Sequence, residues 1–124
     1  MTYTLVLPYP VSANRYWRHF RNRPIVSSEA MKYKIEIAAI AELQGVVPLQ
    51  GDVRLDLILF AKKTKKDSSK RPRCIDLSNS LKVTEDALIG IAYDDDAQTR
   101  QITMAYGEPV FGGAVQITIS QILF

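Results

Sequence analysis

DVRLDLILF, residues 52–60, places Val53, Leu55, Leu57 and Leu59 on one side of an extended chain and Arg54 and Asp56 on the other. Side chains of a β-strand alternate faces with period two, so this stretch predicts a strand with one covered face and one wet face. A sheet with one apolar face needs a second layer to bury it. Working outward, YTLVL (3–7) repeats the alternation with Tyr3, Leu5 and Leu7, and Pro8 and Pro10 end it. TRQITMAYG (99–107) and AVQITIS (114–120) supply two more strands, joined by a turn containing EPVFGG.

The covering layer comes from two helical stretches. One starts at Ser27 or Ser28 and runs to about Gln44, with Gly45 as its stop. Met31, Ile35, Ala38 and Leu43 lie near one face of it. Ile37 and Ile40 lie on another side, which serves either a partner subunit or a second covered flank within the same domain. The other helix is expected from about Asp76 to Ile91, with Leu77, Leu81 and Leu88 as its core stripe and Asn79, Lys82 and Asp86 facing away. Residues 9–26, rich in arginine and aromatic side chains, read as a loop with a short ribbon. The order β, α, β, α, β, β predicts an α+β fold, a two-layer α/β sandwich whose antiparallel or mixed sheet of about four strands carries two helices on one face.

A chain of 124 residues, 47% apolar and 23% charged, is expected to form one globular domain, 1–124, rather than a disordered segment. No apolar run approaches the roughly 20 residues that span a bilayer. MTYTLVLPYP has neither a basic leader nor a small-residue cleavage site, so the expected location is the cytoplasm. Cys74, the one cysteine, excludes an internal disulfide, and His19, the one histidine, argues against a Cys/His zinc site.

The net charge of +3 conceals a segregation of sign. Of the 16 Lys and Arg residues, 14 lie at or before Arg73, four of them in RYWRHFRNR (15–23) and seven in KKTKKDSSKRPR (62–73). Such clusters suit a polyanion, because displacing condensed counterions favours binding whatever the base sequence; a solvated basic loop is the competing reading. Acids follow directly: Asp76, Asp86 and the run Asp94, Asp95, Asp96. Asp76 reads either as a helix N-cap or as a ligand, and Asp86 with Lys82 as an ordinary surface pair or as part of a site. Three adjacent like charges repel unless a cation or basic residues offset them. If the chain turns back after the helix, these carboxylates converge into an oxygen site of the kind Mg²⁺ prefers, a calcium-like surface site or an acidic turn being the alternatives. Basic loops would then hold a nucleic-acid backbone, and the acids an ion acting on it.

Four spaced stretches resemble one family. LPYPVSANRYWRH (7–19) is similar to LPxPPSxNRYxRH, VSSEAMKY (26–33) to the helix entry that follows it, DLSNSLKVTEDAL (76–88) to DLDNxxKxxxDAL, and AYDDDAQ (92–98) to a segment ending DDAQ. These are motifs of the RusA family of Holliday-junction resolvases, homodimeric endodeoxyribonucleases common in prophages, and the resemblance covers nearly the whole chain in order. It implies active-site roles for Asp76, Asn79, Lys82 and Asp96, with Asp95 supporting, and a metal set of Asp76, Asp95 and Asp96. One position departs: the family's second catalytic Asp is Ser78 here. A hydroxyl is a weaker Mg²⁺ ligand than a carboxylate, and Asp94 or Asp86 is the candidate replacement.

The resemblance implies a homodimer that binds a four-way DNA junction and, with Mg²⁺ or alternatively Mn²⁺, makes paired symmetric nicks in recombination and repair. Ser78 motivates the contrary expectation of a non-catalytic branched-DNA binding protein. Arg15, Arg18, Lys62, Lys63, Lys65, Lys66, Arg71 and Arg73 are the expected contacts to the DNA backbone. Tyr16, Trp17 and Phe20, interleaved with arginines, are expected to stack on unpaired bases or, for Trp17, to pack in the core.

Overall fold

The computed structural model describes residues 1–63 and 74–123. The sequence predicts the 52–60 strand correctly: β4 (Val53–Phe60) is an inner strand, and its four alternate apolar side chains are all buried. On one side it pairs antiparallel with β8 (Ala114–Gln121), which in turn pairs antiparallel with β1 (Thr2–Leu7). On the other it pairs parallel with β6 (Thr99–Tyr106), so the four-stranded sheet has the order β1-β8-β4-β6 and is mixed. A parallel neighbour requires a crossover. The intervening chain supplies it in α3 (Leu77–Leu88), which packs on β4 and β6.

Leu5, Leu7, Val115, Ile117 and Ile119 join the four β4 side chains on one face of the sheet, under α2 (Ser28–Leu43) and α3. The opposite face carries Thr4, Arg54, Asp56, Gln116 and Thr118, all at least partly exposed. There Thr103 donates to Asp56, whose carboxyl is held below its ordinary range by that bond and by Arg54. Residues 9–26 hold a single helical turn, α1 (Ala13–Tyr16), then a ribbon of β2 (Trp17–Phe20) and β3 (Arg23–Val26). Two further short strands, β5 (Lys62–Lys63) and β7 (Val110–Phe111), pair parallel. No helix among the described residues is long and apolar enough to cross a membrane.

α2 turns a different face to the sheet than its apolar spacing predicts, while α3 keeps its leucine stripe against the core but is rotated so that smaller side chains lie deepest. On α2 the buried residues are Ala30, Tyr33, Ile37 and Ala41, while Met31, Ile35 and Leu43 face solvent. Tyr33 decides the rotation. Its aromatic body outweighs a methionine as core material, and its hydroxyl reaches the Pro8 carbonyl at 2.8 Å, satisfying its polar tip. On α3 the buried set is Ser80, Val83, Thr84, Ala87 and Leu88, with Leu77 and Leu81 at the margin of the core. Small side chains at 80, 84 and 87 let the helix axis approach the strands closely, a packing advantage that a count of leucines does not register. The helix also stops three residues early, because Gly90 turns at φ +84°, a left-handed conformation that ends helices.

The swapped face of α2 has a direct test. Ile37→Ala should lower stability by about 2–5 kcal/mol through a core cavity, whereas Ile35→Ala should stay within about 0.5 kcal/mol of the parent. Urea unfolding of the two variants checks this, and equal losses would mean that α2 is rotated wrongly here.

Candidate active site

Three elements meet at one carboxylate. Tyr16, the last residue of α1, is fully buried, and its hydroxyl donates to Asp86 Oδ2 on α3 at 2.5 Å. Lys34 Nζ, from α2, lies 3.3 Å from the same oxygen. Burial and the adjacent carboxylate both push the Tyr16 phenol well above its ordinary range, so it stays a donor. Asp86 therefore pairs with Lys34 and not with Lys82, its i−4 neighbour.

The start of α3 holds the same N-terminal arm. Asn79 Oδ1 accepts from the Ala13 N–H at 2.6 Å, so this amide oxygen positions α1. Asp76 is the N-cap of α3, its Oδ1 accepting from the Asn79 N–H at 2.7 Å while the side chain stays exposed. Just ahead of it, Tyr9 donates to Cys74 Sγ and accepts from the Ile75 N–H at 3.0 Å. Gly113 makes room for this tyrosine: a Cβ there would lie 2.5 Å from Tyr9 Cδ1.

The acidic run is organised by one amide that spacing alone did not single out. Gln98 Oε1 accepts from the N–H groups of Asp94 and Asp95 at 2.7 and 2.9 Å, and its Nε2 donates to the Leu49 and Gly51 carbonyls, each at 2.8 Å. Asp95 caps the 3₁₀ turn Asp96–Gln98, its Oδ1 accepting from the Ala97 N–H at 3.0 Å. The D-x-x-Q spacing of 95–98 is a capping-box signal and could have revealed this. Asp94 turns away, accepting from Gln50 Nε2 at 3.1 Å. The Ala97 N–H holds Asp95 below the usual carboxylate range, whereas a shared hydrogen bond with Asp95 pushes Asp96 up, as for two carboxyls around one proton.

Asp96 reaches the C-terminal half of α3. Trp17, Lys82, Glu85, Asp86, Ile89 and Asp96 line one open cleft. Lys82 Nζ sits 5.2 Å from the centroid of the Trp17 ring, and no carboxylate among the described residues forms an ion pair with it. Glu85, missing from the sequence-based set, accepts from Thr99 Oγ1 at 3.1 Å, and burial raises its carboxyl with Asp96 adding to the effect. Asp76 does not line this cleft. It lies ten residues before Asp86, about 15 Å along the helix axis, and Ser78 is exposed near the same end. Among the described residues, no three acid, histidine or cysteine side chains surround a common point. What the turn offers is an open pair of carboxylates. That suits Mg²⁺, which uses one or two carboxylates and fills its other positions with water and phosphate.

The basic residues divide. Arg15 and Arg18 are exposed at the ribbon, with Arg15 Nε 4.0 Å from Glu29. Lys62 and Lys63 are exposed on β5, lying over the Tyr9 and Phe111 rings at 5.0 and 5.6 Å. Lys65, Lys66, Arg71 and Arg73 lie outside the described residues. Of the aromatics, Tyr16 is buried and cannot stack on a base, which corrects the expectation for it; its phenol serves Asp86 instead. Trp17 is half-buried against Tyr16, and Phe20 is exposed at the ribbon tip beside Arg21.

Residues 8–120 match the family model described as Endodeoxyribonuclease RusA. The crossover junction endodeoxyribonuclease rusA of Enterobacteria phage HK97 is 32% identical over 97% of this chain and 95% of its own. RusA of Escherichia coli K12 is likewise 32% identical with the same coverage, and the phage 82 protein is 31% identical, again over 97% and 95%. With a match across nearly its whole length, and the motif residues gathered on α3 and the acidic turn, this chain belongs to the RusA family of endodeoxyribonucleases.

Proposed function

We propose that this protein is a structure-selective endodeoxyribonuclease that resolves four-way DNA junctions as a cytoplasmic homodimer, nicking two equivalent strands symmetrically. The observation that carries this reading is the cleft lined by both Lys82, whose ammonium forms no ion pair among the described residues, and the carboxylate of Asp96, within a chain of the RusA family. An exposed ammonium in a cleft lined by acids is well placed to receive a phosphate. Its positive charge meets the developing negative charge on phosphoryl oxygens, and the half-buried Trp17 ring beneath it limits water access.

In the hydrolysis, a water oxygen bonds to phosphorus while a bridging P–O bond breaks. Lys82 stabilises charge at the phosphoryl oxygens, and Asp96 with Asp95 would hold the divalent ion, Mg²⁺ or Mn²⁺; Asp76, expected in the same set from its motif, caps the far end of α3 and lies apart from this pair. When bound, the ion lowers the pKa of a coordinated water and offsets phosphate charge. Asp86, fixed by Tyr16 and Lys34, keeps the wall of the cleft in place. Arg15, Arg18, Lys62 and Lys63 hold the duplex arms through their backbones, together with the basic residues of 65–73, and Phe20 is the aromatic free to stack on an unpaired base.

Ser78 favours a second reading, a branched-DNA binding protein without cleavage, because the motif is one carboxylate short. A labelled four-way junction separates the two. Paired nicks in Mg²⁺, abolished by chelator, are expected for the enzyme; tight binding without nicks in either condition would overturn it. Asp96→Asn and Lys82→Ala should each reduce nicking by about a hundredfold or more while changing junction affinity only a few-fold. Ser78→Asp should raise nicking without tightening binding, and no gain would mean that a hydroxyl at this position does not limit the ion.

Salt dependence tests the backbone contacts separately. Arg18→Ala and Lys63→Ala should each lower the slope of log affinity against log salt by about 1, alike for different junction sequences. An unchanged slope would remove that residue from the interface.

A further inference from the structure

Two lysines have a claim on one carboxylate beside a pair of adjacent rings. Lys82 and Asp86 lie four residues apart on α3, the spacing at which a helix brings opposite charges together. Yet the ammonium that reaches Asp86 comes from α2: Lys34 Nζ is 3.3 Å from Oδ2, the oxygen that also accepts from the Tyr16 hydroxyl. Lys82 Nζ lies instead 5.2 Å from the centroid of the Trp17 ring, and Lys34 Nζ 5.9 Å from that of Tyr16. The two rings pack edge to face at 4.4 Å, so each helix sends one cation to one member of a single aromatic pair. The side chains of Lys34 and Asp86 are only 34% and 33% exposed, so their attraction is screened less than that of a fully wet pair. The other acids of the cleft are engaged as well: Glu85 accepts from Thr99, and Asp96 shares a hydrogen bond with Asp95.

We propose that Lys34 is a positioning residue for Lys82: by neutralising Asp86 it removes the partner that helix spacing would give Lys82, and the Trp17 ring holds the released ammonium at the cleft. A carboxylate already paired with one ammonium offers a second one little net attraction. A ring face attracts a cation without neutralising it. The Lys82 ammonium is thereby restrained and still carries its full charge when a phosphate enters. Lys34 does not line the cleft, so its effect passes through Asp86 to Lys82. The consequence for strand nicking rests on the nuclease reading above; the disposition of the two lysines does not.

NMR of protein carrying isotope-labelled lysine reads that disposition without any reaction. In the wild type the Lys82 ε-methylene signal, assigned by its loss in Lys82→Met, should be displaced upfield by the ring current of Trp17, the one tryptophan of the chain. Lys34→Met should move it toward the position of a solvated lysine as the side chain turns to Asp86, whereas Lys34→Arg, which keeps the cation, should leave it in place. Adding Asp86→Asn to Lys34→Met should return it to the ring, because the amide oxygen still accepts from Tyr16 but no longer attracts an ammonium. At saturating four-way junction, Lys34→Met should slow nicking about tenfold and change junction affinity less than about twofold. The double variant should nick faster than Lys34→Met alone, whereas a merely structural role for Lys34 predicts a deeper loss when Asp86 is changed as well. An undisplaced wild-type signal, a signal that Lys34→Met does not move, or a double variant that fails to return it overturns the proposal. Unchanged nicking by Lys34→Met, in a wild type that nicks, overturns it too. A wild type that shows the expected spectra without nicking sinks only the nuclease reading.

Discussion

The bond between the buried Tyr16 hydroxyl and Asp86 is the constraint on which the site depends. A phenol cannot be enclosed without a partner, and a carboxylate on a helix flank has little reason to stay fixed unless something holds it. Each satisfies the other, and Lys34 adds a third element to the joint. Once Tyr16 is placed, Trp17 must follow it out of α1 with its ring against Tyr16 and its face under Lys82, and the arginine-bearing ribbon leaves from there. The arm at residues 9–26, a helical turn and a short ribbon, is thus bonded through its α1 turn to both ends of α3: Ala13 to Asn79 near the helix start, and Tyr16 to Asp86 near its finish.

The segregation of charge follows from this layout. The arginine ribbon and the β5 lysines are carried by loops and short strands, where exposed cations are readily solvated. The acids lie on α3 and on the turn that follows it, where side-chain and backbone donors receive them: the Asn79 N–H for Asp76, the Ala97 N–H for Asp95, Tyr16 and Lys34 for Asp86. Asp96 receives least of this support and shares its hydrogen bond with a like group, which leaves it the member with most to gain from a cation.

The fold was legible where one rule sufficed. Period-two alternation located all four strands of the sheet, and the serine cap and Gly45 bounded α2 to within a residue or two. Legibility failed where two demands competed for one helix. Tyr33 rotates α2 because ring and hydroxyl are both satisfied inward, and Ser80 and Thr84 turn inward on α3 because small side chains allow close approach; neither effect is visible in a hydrophobic count. At the candidate site, motif spacing singled out Lys82 and Asp96, which share one cleft, and Asp95, which caps the turn beside it. It did not reveal that Asp96 would meet Glu85 and Asp86 rather than the helix start, because that depends on where β6 enters the sheet after the Gly90 turn. Gln98 was readable in principle from its capping spacing, but its grip on Leu49 and Gly51 joins segments far apart in sequence.

That grip has an evolutionary corollary. Gln98 contacts the 49–51 segment only through main-chain oxygens, which every amino acid provides equally. A change of side chain at Gln50 therefore removes its bond to Asp94 but leaves the Gln98 anchor of the acidic turn intact, while the single amide at 98 has no substitute that both donates and accepts with the same reach. The contact thus depends on the identity of one residue at 98 and, at Gln50, on none.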